Sequence, residues 1–251
     1  MKVGQNSGMP RSESSPIVRP HRSLTQQVMD YVRTSVMNGQ MQPGELYSVY
    51  QLAEELEISR SPVRDGLLRL EEAGMIRFSR NRGFQVIPTT PADIAEIFSI
   101  RIALEVPAAR RAALSEADES ARLAELRIEM QQAAADDDEE RFFRADQELH
   151  NVILVTGGAR RARDIVERLR LNTRLLTPST VGLYRGFDTI VDEHDPIIDA
   201  ITRGDDRAAA EAMQSHLVLT GRLLVKQALA QTGDSEDPDE LWERLTAGYL
   251  H

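Results

Sequence analysis

The chain has 251 residues, with 41% hydrophobic and 28% charged side chains and a formal net charge of −10. That length accommodates two ordinary domains, each with its own core, and no apolar run approaches the roughly 18 residues a membrane span needs, so a soluble, cytoplasmic protein with no membrane partner is expected. The absence of cysteine excludes disulfides, thiolate catalysis and cysteine-held zinc or iron–sulfur centres, leaving N and O ligands for any metal.

Residues 1–22 carry charges, prolines and serines but no apolar block; this excludes the middle of a secretory signal and predicts a disordered arm. The charge is unevenly spread, at +2 over residues 1–20, 0 over 21–88 and −12 over 89–251. Within residues 60–82, Arg60, Arg64, Arg69, Arg77, Arg80 and Arg82 face three acids, so the positive field is local.

Residues 23–88 predict a winged helix-turn-helix. Ser23 is a candidate N-cap, and Leu24, Val28, Val32 and Val36 recur at helical spacing until Asn38-Gly39. After the Pro43-Gly44 turn, Val49, Leu52, Ala53 and Leu56 predict a short second helix. Ser59 is a candidate cap for a third, with Pro62 in the first turn and Val63, Leu67 and Leu70 as the buried stripe. Arg60 and Arg64 then share the opposite face. After Gly74, residues 75–78 and 84–87 read as short strands joined by a loop containing Arg80, Arg82 and Gly83.

A helix fits the major groove of DNA, and arginine donates two bonds to a guanine edge or clamps a phosphate. Arg60 and Arg64, with the neighbouring Ser59 and Ser61, are suited to this role. Arg80 and Arg82 are placed to reach the minor groove or its flanking phosphates, with Gly83 permitting close backbone approach.

The runs QPGEL at 42–46, QLAEELEISRSPVRDGLLRLEEAGMI at 51–76 and RGFQV at 82–86 closely resemble the DNA-binding domain of the GntR family. The resemblance implies a homodimer whose recognition helices enter successive major grooves of a palindromic double-stranded operator, with Arg60 and Arg64 reading it and Gly83 at the wing. Two positions depart from the family pattern. Tyr50 stands where many members carry a DNA-contacting arginine, and Gly66 replaces a helix former, at a cost of up to about 1 kcal/mol relative to alanine.

The connector at 88–91 leads into a helix, with Thr90 as N-cap and Pro91 at its first position. Pro107 is expected to kink or split that helix. Further helices are expected at about 118–134, 138–156, 160–177, 187–203 and 205–231, giving an all-α second domain over 91–231. Residues 232–251 form an acidic tail with Leu241, Trp242 and Leu245 at the spacing of a short helix.

Of five histidines, His150, His194 and His216 fall in three different predicted helices. Asp146 precedes His150 by four residues, which places both on one helical face, as two ligands of one metal require. Spacing alone leaves these four as metal ligands or as ordinary buried polar groups.

The runs FFRADQELH at 142–150, DEH at 192–194 followed by IIDAI, and AMQSHL at 212–217 resemble the three motifs of the FCD domain, the helical effector module of the FadR subfamily of GntR regulators. The resemblance implies that Asp146, His150, His194 and His216 hold a divalent transition metal, zinc foremost, with nickel, iron, cobalt or manganese as alternatives. Arg101 and Glu105, in RIALE at 101–105, match that domain's first-helix signature. Four protein ligands leave a six-coordinate metal two positions for a small organic acid, and Arg101 is then either a partner for the acid's second anionic group or half of an ion pair with Glu105.

The function expected is that of a DNA-binding repressor controlled by such an acid. A regulator for which the ion is itself the signal, and a metalloenzyme using Glu148 or Glu193, are the alternatives. Nothing in the sequence marks a general base or nucleophile, so no enzyme is expected.

Overall fold

The Ser23 hydroxyl accepts a hydrogen bond from the Gln26 N–H and opens helix α1, Leu24–Met37. The computed structural model describes residues 23–80, 82–87, 90–176, 180–182, 184–232 and 235–249. The expected N-terminal arm and the first two residues of the connector, 88 and 89, lie outside these residues.

Strand β1, Leu46–Tyr47, precedes helix α2, Val49–Glu55, capped by Ser48. Helix α3 runs Arg60–Glu72 and buries Val63, Leu67 and Leu70, as the apolar spacing predicts. Ser59 occupies its N-cap position, but its side chain makes no capping bond. Strands β2, Ile76–Ser79, and β3, Gly83–Val86, pair antiparallel with Ile76 opposite Val86 and Ser79 opposite Gly83.

A third strand joins the expected two. β1 adds to the outer side of β3, with Leu46 opposite Gln85 and Tyr47 opposite Phe84, so the sheet order is β1-β3-β2. A strand of two residues has no alternation to detect. Gly83 lets it pair: its φ is +119°, and a Cβ there would sit 2.0 Å from the Tyr47 carbonyl oxygen. The close approach seen at Gly83 is therefore to its own sheet. Gly66 is likewise forced by packing, since a Cβ would lie 2.8 Å from Val28 Cβ, where α1 crosses α3.

Val28, Val32, Leu52, Leu67, Leu70, Met75 and Phe84 form the first apolar cluster. A second, separate cluster fills a helical bundle. Helix α4, Pro91–Ala113, starts with a reciprocal capping box between Thr90 and Asp93. It continues through Pro107 as one helix, so the split foreseen as one alternative does not occur. Ala103, whose carbonyl loses its partner to the proline, and Pro107 itself both lie on the exposed face, where solvent can reach that carbonyl. On the opposite face Ala108, Ala109 and Ala112 are buried and hold the helix in register.

The remaining helices are α5 (Ser120–Ala135), α6 (Glu139–Thr156), α7 (Arg160–Leu176), α8 (Phe187–Thr202), α9 (Asp206–Thr232) and α10 (Pro238–Thr246). α4 packs most extensively on α9, while α5 lies against α6 and α8. α10 docks the C-terminal tail: Leu241 and Trp242 are buried, and the Trp242 ring lies 6.3 Å from that of Phe98. Gly221 on α9 makes room for it, because a Cβ there would come 2.3 Å from the indole. α7 packs Leu171 against the first cluster, while its Val166 forms a small third cluster with Ala108 and Leu154 of the bundle. No helix among the described residues is long and apolar enough to cross a membrane.

Candidate metal centre and nucleic-acid interface

α3 and the β2–β3 hairpin together line an open groove that includes Tyr50, Arg60, Arg64, Arg80, Arg82 and Gly83. Ser59, Arg60, Ser61, Arg64, Arg80 and Arg82 are all exposed. Arg60, Arg64, Arg80, Arg82 and Gly83 thus line one groove, with no acid among its described lining residues, whereas Ser59 and Ser61 are exposed outside that lining. Tyr50 also belongs to it: the Arg60 guanidinium lies 6.0 Å from the centre of its ring, a cation–π distance that steers Arg60 along the helix N-terminus.

Asp146 and His150 project from one face of α6, His194 from α8 and His216 from α9. All four are buried, and each offers a ligand atom within 4.8 Å of the others. His194 Nε2 is 3.0 Å and His150 Nε2 3.8 Å from Asp146 Oδ1.

The surroundings fix the ring tautomers. His194 Nδ1 donates to the Ile190 carbonyl at 2.7 Å, and His150 Nδ1 lies 2.5 Å from Glu105 Oε2. With Nδ1–H committed outward, the lone pair of each Nε2 points into the cluster, where neither nitrogen has a hydrogen-bond partner. Buried nitrogen lone pairs left unsatisfied beside a carboxylate fit a divalent first-row metal, and the donor set of one oxygen and three nitrogens matches that chemistry.

Electrostatics hold Asp146, His150 and His216 in their deprotonated forms. Burial, reinforced by the nearby Arg170 charge, pushes His150 down to about 4. Burial and the neighbouring His194 push His216 down to about 3. Burial alone would raise Asp146, but Arg170 and His194 outweigh it and hold the carboxyl well below its usual range. Glu105 is buried too, and Arg101 and His150 more than offset that burial, so it stays ionised.

A cavity opens beside the cluster, lined by Asp146 and His216 together with Phe98, Arg101, Arg170 and Arg185. Arg101 Nε donates to Glu105 Oε1 at 2.7 Å, so the ion pair foreseen as one alternative is formed. Its second terminal nitrogen remains buried without a hydrogen-bond partner. Arg101 therefore has both a structural bond and a spare donor.

Three functional contacts escaped the reading of the sequence. Arg170 on α7 donates to Asp146, Arg185 donates to Glu193, and Glu193 Oε2 lies 3.3 Å from His216 Nδ1. Glu193 stands next to His194 in the chain, which hinted at its place. For Arg170 and Arg185 no local signal existed, because their partners are brought to them only by the packing of α7 and the 180–186 segment.

A winged helix-turn-helix joined to a helical bundle of this kind defines a DNA-binding transcription regulator. The chain belongs to the GntR family: residues 24–86 match the model for bacterial regulatory proteins of the gntR family, and residues 96–219 match the FCD domain. It is 27% identical over 196 residues to the uncharacterized HTH-type transcriptional regulator YdhC of Bacillus subtilis, covering 76% of this chain and 86% of that one. It is 24% identical over 201 residues to the HTH-type transcriptional repressor RspR of Escherichia coli, covering 80% and 88%. The fold also resembles that of E. coli McbR/YncC, with a TM-score of 0.61 at 22% identity over 82% of this chain and 99% of the other. The relatives so named are regulators and not enzymes, in line with the absence of a catalytic group in the sequence.

Proposed function

We propose that this regulator is a cytoplasmic, homodimeric repressor whose grip on a palindromic operator is controlled by a small carboxylate bound at a divalent metal. Arg60 and Arg64 read base edges in the major groove, with Ser59 and Ser61 on backbone phosphates. Arg80 and Arg82 of the wing hold the phosphates that flank the minor groove. Asp146, His150, His194 and His216 hold the metal, zinc foremost, and Arg101 lends its spare terminal nitrogen to the acid. The metal would supply positive charge and a coordination site for a carboxylate oxygen.

One observation carries this reading: the cavity meets the buried cluster at Asp146 and His216, and an unpartnered Arg101 donor lines the same wall. A carboxylate satisfies both orphaned features at once. The neighbouring Glu105–Arg101 pair stays in place as support.

The test combines metal analysis with operator binding. Purified protein should carry about one divalent ion per chain, and organic acids should weaken operator binding in fluorescence anisotropy. His194→Ala should lower metal content and blunt the response to acids while the free protein still binds DNA. Equal loss of DNA binding in His194→Ala would assign the cluster to folding alone, and a metal-loaded protein indifferent to every acid would remove the carboxylate.

A further inference from the structure

The cavity beside the metal cluster is not built by the helical bundle alone. Arg33, on α1 of the winged helix domain, is part of its lining. The Arg33 Nε is buried and has no hydrogen-bond partner among the described residues. A buried guanidinium donor without an acceptor is costly, and in native structures such a group calls for a missing partner.

The cavity's charges say what that partner is. Among the described residues four guanidiniums line it, those of Arg33, Arg101, Arg170 and Arg185. Arg101 is paired with Glu105, Arg170 with Asp146 and Arg185 with Glu193. Among the described residues no acid pairs with Arg33. Four positive groups thus face three negative ones, and a divalent ion in the cluster would widen the excess to three. Phe98, Phe143, Ile190 and Leu224 supply apolar wall between the charged positions. A ligand carrying two or more carboxylates on a short carbon chain matches this pattern; a single carboxylate would leave Arg33 unanswered.

We propose that Arg33 is an effector-binding residue contributed by the DNA-binding domain: one carboxylate of a di- or tricarboxylate sits at the cluster and Arg101, and another bridges to Arg33. This rests on the carboxylate reading above and adds to it the class of acid and the coupling route. The ligand then clamps α1 to the bundle. α7 supports the same junction, placing Arg170 on Asp146 and the adjacent Leu171 in the apolar cluster of the winged helix domain. Because α1 crosses α3 at Gly66, fixing α1 also fixes the helix that carries Arg60 and Arg64.

The experiment is calorimetric titration of zinc-loaded, full-length protein with acetate, succinate and tricarballylate, on the wild type, Arg33→Ala and Arg33→Lys. The wild type should bind succinate or tricarballylate at least tenfold more tightly than acetate. Arg33→Ala should bring these acids to the level of acetate, with acetate affinity, zinc content and melting temperature unchanged. Arg33→Lys, which keeps the charge and loses the fork, should recover part of the difference. In operator binding, Arg33→Ala should keep the affinity of the free protein and lose the response to the polycarboxylate. Equal binding of the polycarboxylate to wild type and Arg33→Ala would overturn the role of Arg33 and leave the carboxylate reading standing. Loss of acetate binding and melting temperature together in Arg33→Ala would also overturn it, in favour of a structural role. If none of the three acids bound the zinc-loaded wild type, both readings would fall.

Discussion

His150 and Glu105 meet across the bundle, 45 residues apart in sequence, with the imidazole Nδ1 2.5 Å from the carboxylate Oε2. The same carboxylate takes a bond from Arg101 through its other oxygen. Glu105 thereby ties a ring of the Asp146–His150–His194–His216 cluster to the guanidinium that faces the cavity. Replacing it disturbs both.

Glu105→Gln keeps an acceptor near His150 but removes the charge that raises the basicity of the ring. Metal affinity should fall by roughly 10- to 100-fold, the usual effect of losing an outer partner of a ligating histidine. Competition with a chelating dye measures it. An unchanged dissociation constant would show that Glu105 serves Arg101 alone.

Arg64→Ala should weaken operator binding by about 1–3 kcal/mol and relax preference at one base-pair position, as expected for a base-reading arginine. Arg80→Ala should weaken binding to all sequences alike and flatten its salt dependence. Anisotropy titrations against single-base operator variants at two salt concentrations separate the two. If Arg64→Ala behaved as Arg80→Ala does, Arg64 would be a phosphate contact.

Gly66→Ala should destabilise the protein although alanine is the better helix former by about 1 kcal/mol. The added methyl would press on Val28 at 2.8 Å and push α1 off α3. Overpacking of this kind typically costs about 1–3 kcal/mol. A rise in melting temperature would refute the close crossing.

Metal-free protein should lose stability on acidification. An unfolded histidine takes up a proton near pH 6.5, whereas folded His150 and His216 resist until about 4 and about 3. Below about 6.5 the unfolded chain therefore binds protons that the folded chain refuses, and stability falls as pH drops toward the folded values. Above that window these histidines contribute no slope. Asp146 and Glu105, both held below their usual range, act in the same direction at lower pH. Thermal melts should show a drop of several degrees between about pH 7 and about pH 5, smaller in His216→Asn. Equal melting temperatures would mean that the histidines are solvated.

Much of the architecture was open to reading because it rests on local periodicity. The stripe of Val63, Leu67 and Leu70 sets α3, and the four-residue step from Asp146 to His150 sets one edge of the cluster. Pro107 does not split α4 because its cost depends on which face it occupies, and a linear pattern does not weigh that. β1 exists only because Gly83 admits Tyr47. The convergence of His194 and His216 on Asp146 came from family likeness. Arg33 and Arg170 stayed hidden because their meeting in one cavity depends on how α1 and α7 approach the bundle.

The likeness to the FCD domain stops at residue 219, yet the folding unit does not. Trp242, from α10, rests on Phe98, and Phe98 lines the cavity beside the Asp146–His216 cluster, with the Arg101 guanidinium 4.8 Å from its ring centre. α10 is thus a buttress for one wall of that cavity. Removing it would loosen Phe98, and with it the aim of Arg101, without touching any of the four clustered residues Asp146, His150, His194 and His216.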